Sequence, residues 1–172
     1  MLTLETERLT LREFRAEDLG AYAGMCADPE VMRYINDGKT LSRGEAWRDM
    51  AVISGHWQLR GYGLWAAEER ATHDLIGRIG IWNPEGWLGF EVGWMLGRRY
   101  WGHGFATEGA RSALRHAFSV LNVPRVISLI HPDNARSIRV AQRLGERLEG
   151  TVEITKIKLL VYGIDKSEYV SN

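Results

Sequence analysis

The sequence predicts a mixed α/β (α+β) domain folded around one central sheet. Three observations predict it. Segments with the two-residue period of strands interleave with segments of helical period along the chain. The 172 residues suit one domain, so 1–172 is read as a single unit, able to bury about 70% of its unfolded surface. Apolar residues at 45% and charged residues at 26% are an ordinary globular mix, which excludes a disordered, collagen-like or disulfide-scaffold chain. No repeat, low-complexity stretch or Pro/Ser-rich linker interrupts it.

Arg8 to Phe14 reads as a strand, with Leu9 and Leu11 alternating against Thr10 and Arg12. Ala16 to Ala27 reads as a short helix stopped near Asp28-Pro29, because proline disfavours helix in the residue before it. Ser42-x-x-Glu45 is a capping box. It opens a helix to about Trp57, with Ala46, Trp47, Met50, Ile53 and Trp57 expected on one side. Tyr62 to Ala67, Leu75 to Trp82 and Gly89 to Leu96 read as strands, separated by turns at Thr72-His73-Asp74 and Asn83-Pro84-Glu85-Gly86. After a loop at Gly97 to Gly104, Phe105 to Leu121 has helical period, with Ala106, Ala110, Ala113, Leu114, Ala117, Phe118 and Leu121 on one face. Asn122-Val123-Pro124 ends it, and Arg125 to His131 is a short apolar strand. Asp133 or Asn134 caps a helix that ends at Gly145. Strands at about Arg147 to Thr155 and Lys156 to Ile164 complete the chain.

Composition narrows the function. The single cysteine, Cys26, excludes an internal disulfide and a cysteine zinc cluster, and reads as buried packing. No apolar run approaches the roughly 18 residues of a membrane span, and the charged start, MLTLETERLTLRE, is unlike a signal peptide, so the cytoplasm is the expected compartment. Net charge is zero, which argues against generic nucleic-acid binding. From Arg98 to Arg147, however, nine Arg face only Glu108, Asp133 and Glu146. Such a segment suits either scattered solvated side chains or a local anionic ligand.

The segment Arg99-Tyr100-Trp101-Gly102-His103-Gly104-Phe105-Ala106-Thr107-Glu108 lies between a strand and a helix. Its glycines permit backbone angles that turn successive N–H groups inward, and the helix adds unpaired N–H groups and a positive dipole end. These are the parts of a pyrophosphate cradle. A P-loop is rejected, because Phe105-Ala106 follows the last glycine where Lys-Ser or Lys-Thr is required. A dinucleotide fold lacks its third glycine, since Thr107 stands there, and its acidic residue. Coenzyme A remains, beside the plain alternative of a tight strand-to-helix turn.

Arg99-x-x-Gly102-x-Gly104 followed by Ala106-Thr107-Glu108 resembles the acyl-CoA pyrophosphate motif of the GNAT N-acetyltransferases. Asn134-x-x-Ser137, with Arg139, Leu144 and Gly145, resembles the second conserved helix of that superfamily. Thr6-Glu7-Arg8-Leu9, Asp28-Pro29-Glu30-Val31 and Val161-Tyr162-Gly163 are similar to its RimJ/RimL-like branch. The resemblance spans almost the whole chain.

It implies a GNAT-like fold with a mostly antiparallel, splayed sheet flanked by helices. It also implies acetyl-CoA as co-substrate, no metal, and acetyl transfer to a primary amine, either a protein N-terminus or a small molecule. The chain would then act as a monomer or homodimer, without nucleic acid or membrane. The pantetheine arm would lie against Val92, Trp94 and Leu96, and Asn134 would bond it. The pyrophosphate would meet Gly102, His103, Gly104, Phe105 and Ala106, helped by Arg99 or Arg98 and by the Thr107 hydroxyl. Glu91 is the expected general base, with His131 a second candidate; Ser137 is the expected acid. The backbone N–H of the Glu91 strand is a further oxyanion donor. The tyrosine that many relatives carry on the second motif helix is Ala141 here, and Glu146 replaces a usually apolar residue. Acceptor choice falls to the loops Asn36 to Leu41 and Asn83 to Leu88, with Trp82, Trp87 and Trp94 near the cleft. The other class of function the motifs allow is a non-catalytic acyl-CoA-binding sensor.

Overall fold

A computed structural model describes residues 2–170. The strands are β1 (Leu4–Glu5), β2 (Leu9–Arg12), β3 (Leu64–Glu69), β4 (Leu75–Trp82), β5 (Glu91–Leu96), β6 (Arg125–Ile130), β7 (Arg147–Ile154) and β8 (Ile157–Asp165). The helices are α1 (Leu19–Cys26), α2 (Pro29–Met32), α3 (Arg43–Arg60), α4 (Phe105–Ser119), α5 (Ala135–Leu144) and α6 (Lys166–Val170). One eight-stranded sheet runs β1-β2-β3-β4-β5-β6-β8-β7. Every neighbouring pair is antiparallel except β5 and β6.

Helix boundaries follow local chemistry. The Ser42–Glu45 capping box forms in both directions, and α3 stops at Gly61 in the left-handed conformation, φ 74°. Asn134 accepts from the Ser137 N–H at 3.1 Å, and Gly145 ends α5 at φ 92°. Asp28 does more than end the preceding helix: it caps a further turn, α2, by accepting from the Glu30 N–H. A 3₁₀ turn at Ala16–Asp18 precedes α1. There the Asp18 carboxylate takes two Arg12 donors at 2.8 Å, which holds β2 to the start of α1.

Helices cover both faces of the sheet. Ala110, Ala113, Leu114, Ala117 and Phe118 of α4 pack with Trp65, Ile79, Ile81, Val92 and Leu96 on one face. Tyr22, Cys26, Ala46 and Met50 of α1 and α3 pack with Ala66, Leu75 and Met95 on the other. Trp47 corrects the expected apolar side of α3, since it is 58% exposed. The buried stripe is Ala46, Met50, Ile53 and Trp57, and Trp47 sits one residue, about 100°, off it.

The sheet is splayed at its centre. β5 and β6 share one register pair, Glu91 with Ile127, and the Ile127 N–H donates to the Phe90 carbonyl at 2.8 Å. Beyond Val92 the two strands are not paired. That single bridge fixes the alternation, so the main-chain polar groups of Val92, Trp94 and Leu96 turn toward the gap.

Candidate active site

The gap opens into a cleft of about 610 Å³ lined by β5, the Tyr100–Thr107 segment, α2 and α5. Gly102 and Gly104 take φ of 82° and 84°, the left-handed region where a side chain is strained. A Cβ on Gly102 would stand in open space, so the backbone angle alone demands glycine there. The N–H groups of Phe105, Ala106 and Thr107 precede the first main-chain bond of α4, from Glu108 N–H to Gly104 carbonyl at 3.0 Å. The Thr107 hydroxyl is buried without a partner, and Thr107 lines the cleft. An orphaned hydroxyl beside free helix-end N–H groups suits a phosphate oxygen.

The cations are not the expected ones. Arg99 pairs with Asp74 at 2.9 Å and lies over the Tyr100 ring, and Arg98 faces Asp28 at 3.7 Å; neither lines the cleft. Their acidic partners are 25 and 70 residues away in the chain, which hid this pairing from the sequence. The His103 carbonyl accepts from Arg8 at 2.9 Å, and its imidazole does not line the cleft. Arg136, Arg139 and Arg143 of α5 line it instead, with Arg136 stacked 4.4 Å over the Trp101 ring. The Arg-rich segment therefore does converge on the cradle, through its second helix. Glu108 faces away, tying Thr6 and Arg8 to the first turn of α4 at 2.6–2.8 Å.

Along the gap, the three expected strand contacts differ. The Val92 carbonyl accepts from the Ser128 hydroxyl at 3.0 Å, and the Leu96 carbonyl accepts from the Trp101 indole at 2.8 Å. Trp94 and Leu96 line the cleft, whereas Val92 is buried and does not. Asn134 lines the cleft with its carbonyl oxygen engaged in the α5 cap, leaving its amide NH₂ as a donor. The Ser137 hydroxyl, also in the cleft, accepts from the Trp94 indole at 3.1 Å. That orients the hydroxyl toward β5.

Glu91 leaves β5 on the face shared with Gly93 and Met95, toward α1 and α3; Met95 reaches the large cleft, whereas Glu91 does not line it. Burial pushes its carboxyl up to about 7, against the pull of a 2.8 Å bond from the Trp87 indole. A carboxylate so placed holds or releases a proton near neutrality. His131 is otherwise engaged. Its Nδ1 accepts from the Asp133 N–H at 3.2 Å, and its ring stacks 5.0 Å from Tyr34.

The sequence reading marked Glu146 only as a departure and did not single out Arg78. Glu146, after the α5 cap, is 3% exposed, and burial pushes its carboxyl to about 8. Ser128, within 3.1 Å of it, has one hydroxyl proton, which the Val92 carbonyl accepts, so the Ser128–Glu146 contact is made when Glu146 is protonated and donates, while Glu146 Oε2 stays buried without a partner among the described residues. Arg78 of β4 lies deep beneath α1 and α3 and makes no hydrogen bond or ion pair among the described residues; its Nε is buried. Only the Glu146 departure could have signalled the first. Nothing local signals the second.

The Acetyltransferase (GNAT) domain family matches residues 8–147. The chain is 32% identical to an uncharacterised N-acetyltransferase, p20, of Bacillus licheniformis, with 98% of this chain and 99% of that protein covered. It is 31% identical to an acetyltransferase of known structure from Agrobacterium tumefaciens, with TM-score 0.84 and 95% and 94% covered. RimL, a ribosomal α-N-protein acetyltransferase solved in complex with coenzyme A, shares the fold: TM-score 0.81 at 16% identity, with 95% and 98% covered. Among the described residues, no helix is long and apolar enough to cross a membrane.

Proposed function

The chain belongs to the GNAT acetyltransferases, and from that premise we propose that Glu91 and Ser137 serve acetyl transfer from acetyl-CoA to a primary amine held over β5. One observation carries the reading: a carboxylate poised near neutrality sits on the splayed strand whose open edge faces a cradle of unpaired N–H groups. The cradle residues fit coenzyme A. Gly102, Gly104 and the N–H groups of Phe105, Ala106 and Thr107 meet the diphosphate, Arg136, Arg139 and Arg143 balance its charge, and Asn134 donates to the pantetheine. When bound, acetyl-CoA supplies an activated acetyl thioester.

The residues do the rest. An ammonium cannot attack a thioester, so Glu91 takes one proton from the acceptor, directly or through water. The β5 main chain at the gap donates to the developing oxyanion. Ser137, held by Trp94, offers a proton to the leaving sulfur from the opposite side of the strand. The acceptor is an amine of a protein N-terminus or a small molecule. The reaction needs one domain, 1–172, as monomer or homodimer, and no metal. A free, buried Cys26 suits the reducing cytoplasm as its compartment.

The test is release of the CoA thiol from acetyl-CoA with a panel of amines and free-N-terminus peptides. Wild-type protein turns over at least one acceptor, and Glu91→Gln lowers kcat by about 10²–10⁴ without loosening acetyl-CoA. Equal turnover in the variant refutes the base assignment.

A further inference from the structure

The face of β4 and β5 beneath α1 and α3 carries three successive cross-strand pairs: Arg78 with Met95, Gly80 with Gly93, and Trp82 with Glu91. The middle pair has no side chains. Gly80 is closed over by the Gly63 and Leu64 backbone, so the floor between the guanidinium and the proposed base is formed by Gly93. Arg78, Gly93 and Glu91 all keep accessible surface although Arg78 and Glu91 lie deep in the protein, which marks a crevice and not a packed core. A Cβ built on Gly93 meets nothing nearer than Leu64 Cδ2 at 3.9 Å, an ordinary van der Waals contact, so a methyl fits above it.

Arg78 is the unusual member. A guanidinium has five N–H donors and cannot shed its charge. Buried guanidinium groups are ordinarily paired. Asp49 of α3, whose charge reaches Arg78, accepts from the Tyr22 hydroxyl and makes no hydrogen bond to the guanidinium. Tyr22 and Cys26 close the remaining sides, and burial keeps both protonated, the thiol at about 11. Glu91 feels the Arg78 charge. No hydrogen-bond acceptor among the described residues meets the fork, whose Nε is buried.

We propose that Arg78 receives a carboxylate of the acceptor, so that the substrate is an amine carrying its own carboxylate, laid across Gly93 with its nitrogen at Glu91. A carboxylate matches the planar fork in two parallel bonds. Its burial there supplies the missing partner, and the glycine floor leaves room for the carbon chain between the two charged ends. The proposal rests on the reading of Glu91 as the base but adds the substrate class.

The experiment uses matched pairs: glycine, β-alanine, γ-aminobutyrate, ε-aminocaproate and glycylglutamate, each beside its carboxamide. The full-length protein saturated with CoA is titrated calorimetrically with each, and kcat/KM is measured with acetyl-CoA. At least one carboxylate is preferred over its amide by about tenfold or more. In Arg78→Met that ratio collapses toward unity, and Arg78→Lys restores part of it. Because the wild-type ratio stands without any variant, a misfolded Arg78→Met does not blunt the test. No preference for any carboxylate, or a preference that survives Arg78→Met in folded protein, overturns the proposal. Failure of the base assignment reads differently: Glu91→Gln would keep full kcat whichever ratio is found.

Discussion

Glu91 and Glu146 are two carboxyl groups raised by burial, and they differ because one is the proposed base and the other faces a hydroxyl. As the proposed base, Glu91 works only when ionised, so kcat/KM is expected to rise as pH climbs through about 7 and to level above it. Glu91→Gln abolishes that limb of the profile; an unchanged limb assigns it to another group. Glu146 speaks through stability. Its folded pKa of about 8 lies above its ordinary value, so between about 4.5 and 8 the native state holds a proton that the unfolded chain has released. Stability therefore falls as pH rises across that window and is flat beyond it. Glu146→Gln stays neutral and still donates to Ser128. Relative to wild type, it gains roughly 1–4 kcal/mol between about pH 5 and pH 9. Thermal melts at both pH values read the difference, and parallel melting curves contradict it. The sequence marks Glu146 only as a departure from an apolar position. Its chemistry depends on Ser128, 18 residues upstream, and on the β6 register.

At the scale of elements, Gly80 and Gly93 face each other across β4 and β5 yet answer to different constraints. A Cβ on Gly80 would stand 2.3 Å from the Gly63 carbonyl oxygen and 2.7 Å from Leu64 Cα, which are backbone atoms that cannot yield without moving β3. Gly80→Ala costs about 1–3 kcal/mol or more, read as a lowered Tm. Gly93→Ala has room and melts like wild type, but its methyl stands on the crevice floor, so acceptor kcat/KM falls about tenfold while acetyl-CoA affinity holds. Equal effects at both sites would mean no crevice exists. Neither role was legible in the sequence, because a glycine's use depends on its cross-strand neighbour. What was legible is local chemistry. The Ser42–Glu45 box, the Asn134 cap, the Gly145 stop and the start of α4 at Phe105 all lie within a few residues of their cause. β1 and α2 were missed because two residues show no period and one turn shows no face. The first and second turns of α5 carry Arg136 and Arg139, the cations that Arg98 and Arg99 were expected to supply.

Taken whole, the molecule is two half-sheets joined at one bridge. β1 to β5 form one ladder and β6, β8 and β7 another; between them stand the Glu91–Ile127 pair and the Ser128–Val92 bond. Strand edges left unpaired in a sheet centre are costly unless water or a ligand satisfies them. A ligand that lies along the gap and ends on the α4 cradle acts as the missing strand, linking both halves to the helix that crosses between them. Acetyl-CoA at 100 times its dissociation constant adds about 2.7 kcal/mol to global stability. The gain is not spread evenly. Hydrogen exchange slows most at the amides that face the gap or the cradle, namely Trp94, Leu96, Phe105, Ala106 and Thr107, and least along the β7–β8 hairpin, which lies beyond β6 in the second half-sheet, away from the gap. Binding that protects β7 and β8 as strongly as Trp94 and Phe105 would mean that the ligand tightens the whole fold and does not fill the splay. Binding that leaves those five amides exchanging freely would place coenzyme A outside the cleft.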